Sequence, residues 1–217
     1  MLDLVPLIAC FIASLVFLKS DQERHWSILR LFLAFTVLTE LFALYIGHWL
    51  RHSNLYVYNT YMLVEGLAMP TLLYFMNPIR KRSWLPYGSL LALWLLGYSL
   101  FYAWYIWKKG LSDPADPLID KLCFFILFYA VAYYVGLLLS NYRPDLLRQA
   151  HFWWVNGVLF FYFGNTVLNV LSKYLNMEMW PGMSARHFLF ILLNILLYGL
   201  WTLSFYLRYR QCRRAIS

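Results

Sequence analysis

Seven long apolar stretches, at about 2–18, 27–48, 55–76, 84–107, 121–140, 151–172 and 187–207, constrain this chain more than any other feature. Each has roughly the 17–25 residues a helix needs to cross about 30 Å of hydrocarbon. Most charge is confined to the breaks at 19–24, 51–54, 77–82, 108–120, 141–149 and 173–186. Pro78, Pro114, Pro117, Pro144 and the Pro181-Gly182 step fall in these breaks. Such residues punctuate loops, where backbone groups reach water. A membrane barrel would instead show alternating segments of about ten residues. The expected fold is therefore an all-α membrane protein, a single seven-transmembrane-helix bundle spanning residues 1–217. No internal repeat is visible, which argues against an inverted-repeat transporter.

Composition closes off the other classes. The chain is 62% hydrophobic and 13% charged, whereas soluble domains average roughly 45–50% apolar and about 25% charged. That excludes a soluble enzyme and a disordered chain. Cys10, Cys123 and Cys212 are too few and too scattered for a disulfide framework or a cysteine-based zinc site. Cys10 ends a Leu7-Ile8-Ala9-Cys10 string like a lipoprotein box, but no basic residue precedes it. The same missing basic start makes 2–18 read as a first membrane helix and not a removable signal.

Orientation follows from the bias of Lys and Arg between the two sides. The linkers after helices 1, 3 and 5, together with the tail, hold twelve, among them Arg80, Lys81, Arg82 and Arg143; the opposite side holds six. The amino terminus is expected outside and the carboxyl terminus in the cytoplasm, in a bacterial inner membrane. The net charge of +8 is then mostly a topology signal. Its basic residues are split among short juxtamembrane segments, which argues against nucleic-acid binding. The basic tail at 208–214 suits contact with anionic lipid.

Function in such a chain is sought in polar groups that lipid does not tolerate. Glu40 and Glu65 lie within helices 2 and 3, and Asn165 and Asn194 within helices 6 and 7. At about 1.5 Å per residue all four fall about 12–15 Å below the outer surface. Helical spacing adds neighbours to each. Tyr58 and Tyr61 share a stripe with Glu65, Thr36 and Gly47 with Glu40, Tyr162 and Asn169 with Asn165, and His187, Tyr198 and Trp201 with Asn194. Tyr129 and Tyr133 of helix 5 extend the set. The expectation is an outward-facing pocket with an acidic floor and aromatic walls. Its lining would be Glu40, Glu65, Tyr58, Tyr61, Tyr162, Asn165, Asn169, Asn194 and Tyr198. The competing structural account is that these groups form the interhelical hydrogen bonds that hold membrane bundles together.

No Lys or Arg stands at the depth of the two glutamates. Three arrangements satisfy such acids: both protonated and hydrogen-bonded, one proton shared, or a bound cation. His48 and His52 have i, i+4 spacing and His187 opens helix 7 on the same side, a set that could approach a metal. Arg51 intervenes and no HExxH motif accompanies them, so no metal site and no cofactor are expected. His25 and His151 fall at the cytoplasmic edge and are set aside. Helix 7 contains no lysine for a retinal Schiff base, and nucleophile-elbow, phosphate-loop and kinase signatures are absent from the sequence.

The strings Leu55-Tyr56-Val57-Tyr58-Asn59-Thr60-Tyr61-Met62-Leu63-Val64-Glu65, Phe152-Trp153-Trp154-Val155-Asn156-Gly157, Tyr162-Phe163-Gly164-Asn165 and Asn194-Ile195-Leu196-Leu197-Tyr198 carry a resemblance. The chain resembles a family of small, uncharacterised bacterial seven-helix membrane proteins, whose membrane regions stand alone or ahead of signalling modules. Asn59 stands where that family often has histidine, and Gly66 where it often has an aromatic. The resemblance implies the topology and a polar layer around Glu65, Asn165 and Asn194, but no activity.

The leading expectation is a binding or sensing module for a small cationic or amphipathic ligand, with membrane lipid and a signalling protein as further partners. A structural or accessory subunit comes second, and a proton- or cation-coupled carrier built on Glu40 and Glu65 third. An intramembrane enzyme using the outer histidines comes last.

Overall fold

The structure, a computed structural model, describes residues 4–19, 21, 23–78, 87–113, 116–139, 145–175, 177–180 and 183–216. The basic run 80–82, Arg143, Pro114, Pro144 and the Pro181-Gly182 step lie outside the described residues.

The described residues are mostly helical, with one small strand pair among them. Its helices are α1 (Leu4–Phe17), α2 (Arg24–Leu44), α3 (Leu55–Met76), α4 (Tyr87–Lys109), α5 (Asp116–Leu139), α6 (Ala150–Val170), α7 (Ser172–Leu175) and α8 (Ala185–Ile216). A π-helical turn at Tyr45–Trp49 continues α2, and a 3₁₀ turn at Leu146–Arg148 precedes α6. The strand pair joins β1 (Glu178–Trp180) with β2 (Met183–Ser184) in antiparallel fashion, within a break expected to be an irregular linker. The second difference is at α8, which runs past the end of its apolar segment at 207 to Ile216. Arg213 and Arg214 occupy its last turn, where cations complement the helix dipole.

Among the described residues, four helices are long and apolar enough to cross a membrane: Arg24–Trp49, Tyr87–Lys109, Leu118–Leu139 and Ala185–Arg214. Their outer faces are apolar, with Leu93, Leu96 and Leu100 exposed on α4 and Phe124, Val131 and Leu138 on α5. Water would not favour such surfaces, and acyl chains would. α3 and α6 have the length, but Asn59, Thr60, Glu65 and Thr71 on one and Asn156, Asn165, Thr166 and Asn169 on the other lower their mean hydropathy.

The helices form two compact units, Met1–Arg30 with Tyr142–Ser217, and Leu31–Asn141. In the first, α6 and α1 both pack along α8. Gly157 and Gly164 let α8 approach α6: a Cβ on Gly157 would lie 2.9 Å from the Trp201 ring, and one on Gly164 2.5 Å from Leu193. Small residues serve the same purpose in membrane helix pairs generally. Trp26, Trp154, Trp201 and Phe205 form its fully buried centre, with the Trp154 and Trp201 rings stacked at 5.4 Å. Ser204 Oγ donates to Ala150 O at 2.7 Å and fixes where α6 begins.

The second unit is built around α3, which packs against α4 and α5. Pro70 lies inside α3 and has no N–H for the carbonyl four residues earlier, that of Gly66. Trp94 Nε1 of α4 donates to that carbonyl at 3.1 Å. One turn further along α4, the Tyr98 hydroxyl donates to Met62 O, and after another turn the Tyr102 hydroxyl donates to Asn59 O. A ladder of aromatic donors thus ties α4 to the backbone of α3. Buried Asn59 completes it, its Nδ2 donating to Leu111 O at 2.6 Å and Asp113 O at 2.8 Å beyond the end of α4.

Candidate functional site

The residues singled out in the sequence belong to both units. In the unit of α3, the Tyr58 hydroxyl donates to Glu40 Oε2 at 3.1 Å. Tyr61 meets Thr36 through its hydroxyl, 3.1 Å from Thr36 Oγ1, and stacks on Phe35. Glu65 is half-buried and lies close enough to Tyr98 to act on it electrostatically. Glu40 and Tyr58 are thus brought together, while Tyr61 serves the α2–α3 contact. His48 is exposed on the π-helical turn, and His52 is exposed beyond it.

In the unit of α6 and α8, an open cleft of about 390 Å³ lies where α6 ends and α8 begins. Asn165, Leu168, Ser184, Arg186, His187 and Phe190 line it. Arg186 Nη2 donates to Asn169 Oδ1 at 2.8 Å, so Asn169 holds the guanidinium at the cleft. Three residues expected from helical spacing, Asn165, Asn169 and His187, therefore meet here. Asn194 Nδ2 donates to Phe190 O one turn earlier, at 3.0 Å. Tyr162 is buried with its ring edge-on to Phe161, and Tyr198 lies edge-on to Trp201.

The lining is polar on one side and apolar on the other. Arg186, His187, Ser184 and the Asn165 amide can all donate hydrogen bonds, and Leu168 and Phe190 supply an apolar wall. The exposed guanidinium makes this cleft suited to an anionic or strongly accepting group. Arg186 and Ser184 were passed over in the sequence because they read as a topology charge and a loop residue. The signal was their position just before the His187 stripe.

A second polar cluster lies at the other end of α6. Asp21, its side chain 3% exposed, accepts from Arg208 Nε at 2.5 Å and from Arg208 Nη2 at 3.2 Å. Burial alone pushes the Asp21 carboxyl up, yet the Arg208 guanidinium and the Glu23 backbone N–H outweigh it and hold the carboxyl below its ordinary value. Glu23 Oε1 lies 2.8 Å from Arg208 Nη2, and its other oxygen, Oε2, lies 3.2 Å from His25 Nε2. His25 Nε2 in turn lies 3.0 Å from His151 Nε2. Trp26 is offset-stacked on His151, with ring centres 5.2 Å apart and planes 7° from parallel. The two histidines set aside in the sequence are therefore in contact. Their shared level at the starts of α2 and α6 was the available clue; that they share a packing unit was not readable.

No protein-family model matches this chain, and no curated protein or solved structure matches it.

Proposed function

We propose that this chain is a multi-pass inner-membrane binding module that senses a small amphipathic molecule with an anionic head group. The ligand enters the cleft at the end of α6, its head on Arg186, Ser184, Asn165 and His187, its apolar part along Leu168 and Phe190. The observation that carries this reading is the Arg186 guanidinium, held by Asn169 beside an apolar wall. Of the two ligand chemistries expected from the sequence, amphipathic and cationic, a guanidinium at the cleft supports the first.

In this reading all seven long helices span the bilayer, with the amino terminus outside and the basic end of α8 in the cytoplasm. The cleft then opens outward, and the cytoplasmic end is available to a separate signalling partner. The four spans long and apolar enough to cross support the membrane placement. Lipid surrounds the chain, and nucleic acid has no part in the proposal.

Binding of dodecanoate to the chain in lipid nanodiscs tests this. The wild type should bind saturably, and Arg186→Gln should weaken binding at least about fivefold, the equivalent of about 1 kcal/mol. Asn169→Ala, which frees the guanidinium without removing it, should have a smaller effect in the same direction. Equal affinity in wild type and Arg186→Gln would overturn the assignment.

A further inference from the structure

The group formed by Glu23, His25 and His151 has a geometry that hydrogen bonds alone explain poorly. One ligand atom from each lies within 4.8 Å of the others, and these three residues are the metal-capable cluster among the described residues. Two contacts converge on a single atom, His25 Nε2: His151 Nε2 at 3.0 Å and Glu23 Oε2 at 3.2 Å. One imidazole nitrogen carries at most one hydrogen. If His25 Nε2–H points at the carboxylate, it has no lone pair left to accept from His151. If it points at His151, the carboxylate faces the side of a bond already directed elsewhere. If His151 is the donor, the Glu23 oxygen faces a nitrogen lone pair. A cation at the centre removes this conflict, because all three atoms then direct lone pairs at it.

The spacing agrees with that solution. Zinc binds imidazole nitrogen at about 2.0–2.1 Å and carboxylate oxygen at about 2.0–2.2 Å, so neighbouring ligands on a tetrahedron stand about 3.3 Å apart. The two close edges here, 3.0 and 3.2 Å, are within a few tenths of that value. The residue types also suit a borderline divalent ion, two imidazoles and a carboxylate.

The surroundings are those of a built site. Arg208 binds Glu23 through Oε1 and leaves Oε2 turned toward the histidines. Arg208 is itself fixed by buried Asp21. Trp26, buried completely, stacks on the His151 ring and sets its plane. Second-layer groups of this kind orient metal ligands and tune affinity. Three protein ligands leave a fourth position, and Glu23, at 46% side-chain exposure, lets water or a solute reach it.

We propose that Glu23, His25 and His151 bind one divalent first-row transition-metal ion, tying the start of α2 to the start of α6. The site is separate from the cleft, which uses residues at the opposite end of α6. It also does not involve His48, His52 or His187.

Zinc is the probe. The untagged full chain in nanodiscs, stripped with chelator, should take up one zinc per chain in a calorimetric titration. His25→Ala and His151→Ala should each weaken that binding by more than about tenfold, and Glu23→Gln by about tenfold or more. The triple variant His48→Ala, His52→Ala, His187→Ala should bind as the wild type does. Cobalt in place of zinc should give the visible absorption of a low-symmetry nitrogen–oxygen site, lost in His25→Ala. If either alanine variant fails to fold, Glu23→Gln on its half-exposed side chain decides the matter. No saturable uptake by the wild type would overturn the proposal. So would undiminished affinity in Glu23→Gln and His25→Ala, or loss of uptake in the triple variant.

Discussion

Asp21 and Arg208 form a nearly enclosed ion pair, at 3% and 16% side-chain exposure, between the α1–α2 turn and the far end of α8. Removing one member of such a pair leaves the other desolvated and uncompensated. Arg208→Met, which leaves buried Asp21 without a cation, should therefore lower the unfolding free energy by about 3 kcal/mol, read from SDS-induced unfolding. Adding Asp21→Asn to Arg208→Met should recover part of the loss, because no buried charge then remains. The sequence showed these residues as ends of separate segments, 187 positions apart. Which juxtamembrane charges pair across such a separation depends on helix packing, which local periodicity does not encode. The cleft was more legible: Asn165, Asn169 and His187 lie on the stripes that helical spacing predicts. Asn194, on the same stripe as His187, donates to the Phe190 carbonyl one turn earlier, which is within reach of an asparagine in a helix.

Among the elements, α3 shows how a long helix tolerates an internal proline. The carbonyl that Pro70 leaves without its helical donor is taken by the Trp94 indole, which is also stacked on Phe125 of α5 at 3.7 Å. Trp94→Phe keeps the stacking and removes the donor, so it should destabilise the chain by about 1 kcal/mol. Pro70→Ala restores a backbone N–H to Gly66 O, and in that background the cost of Trp94→Phe should shrink. A double-mutant cycle in SDS unfolding reads the difference. The all-helical character and the four helices long and apolar enough to cross a membrane were plain in the sequence, because apolar runs separated by charged breaks have few alternative readings. The pairing of strands 178–180 and 183–184 and the helical tail after 207 were not, since both depend on contacts that an apolar count ignores.

At the scale of the molecule, the proposed topology has a direct test. Ser112, in the exposed turn after α4, should be reached from outside: Ser112→Cys in a background lacking the native cysteines should label with an impermeant maleimide on intact cells. A fluorescent protein fused at the carboxyl terminus should fluoresce, as it does when it folds in the cytoplasm. Protection of Ser112→Cys together with a dark fusion would reverse the orientation.

α8 also has a mechanical consequence. It is one continuous helix of 32 residues. Arg186 at its start belongs to the cleft, and Arg208 near its end grips Asp21 and Glu23. At about 1.5 Å per residue the two guanidiniums hang from points about 33 Å apart on a single stiff rod. A twist or thrust applied at one end has no hinge in which to dissipate, so it arrives at the other as strain on a carboxylate that also faces two imidazoles.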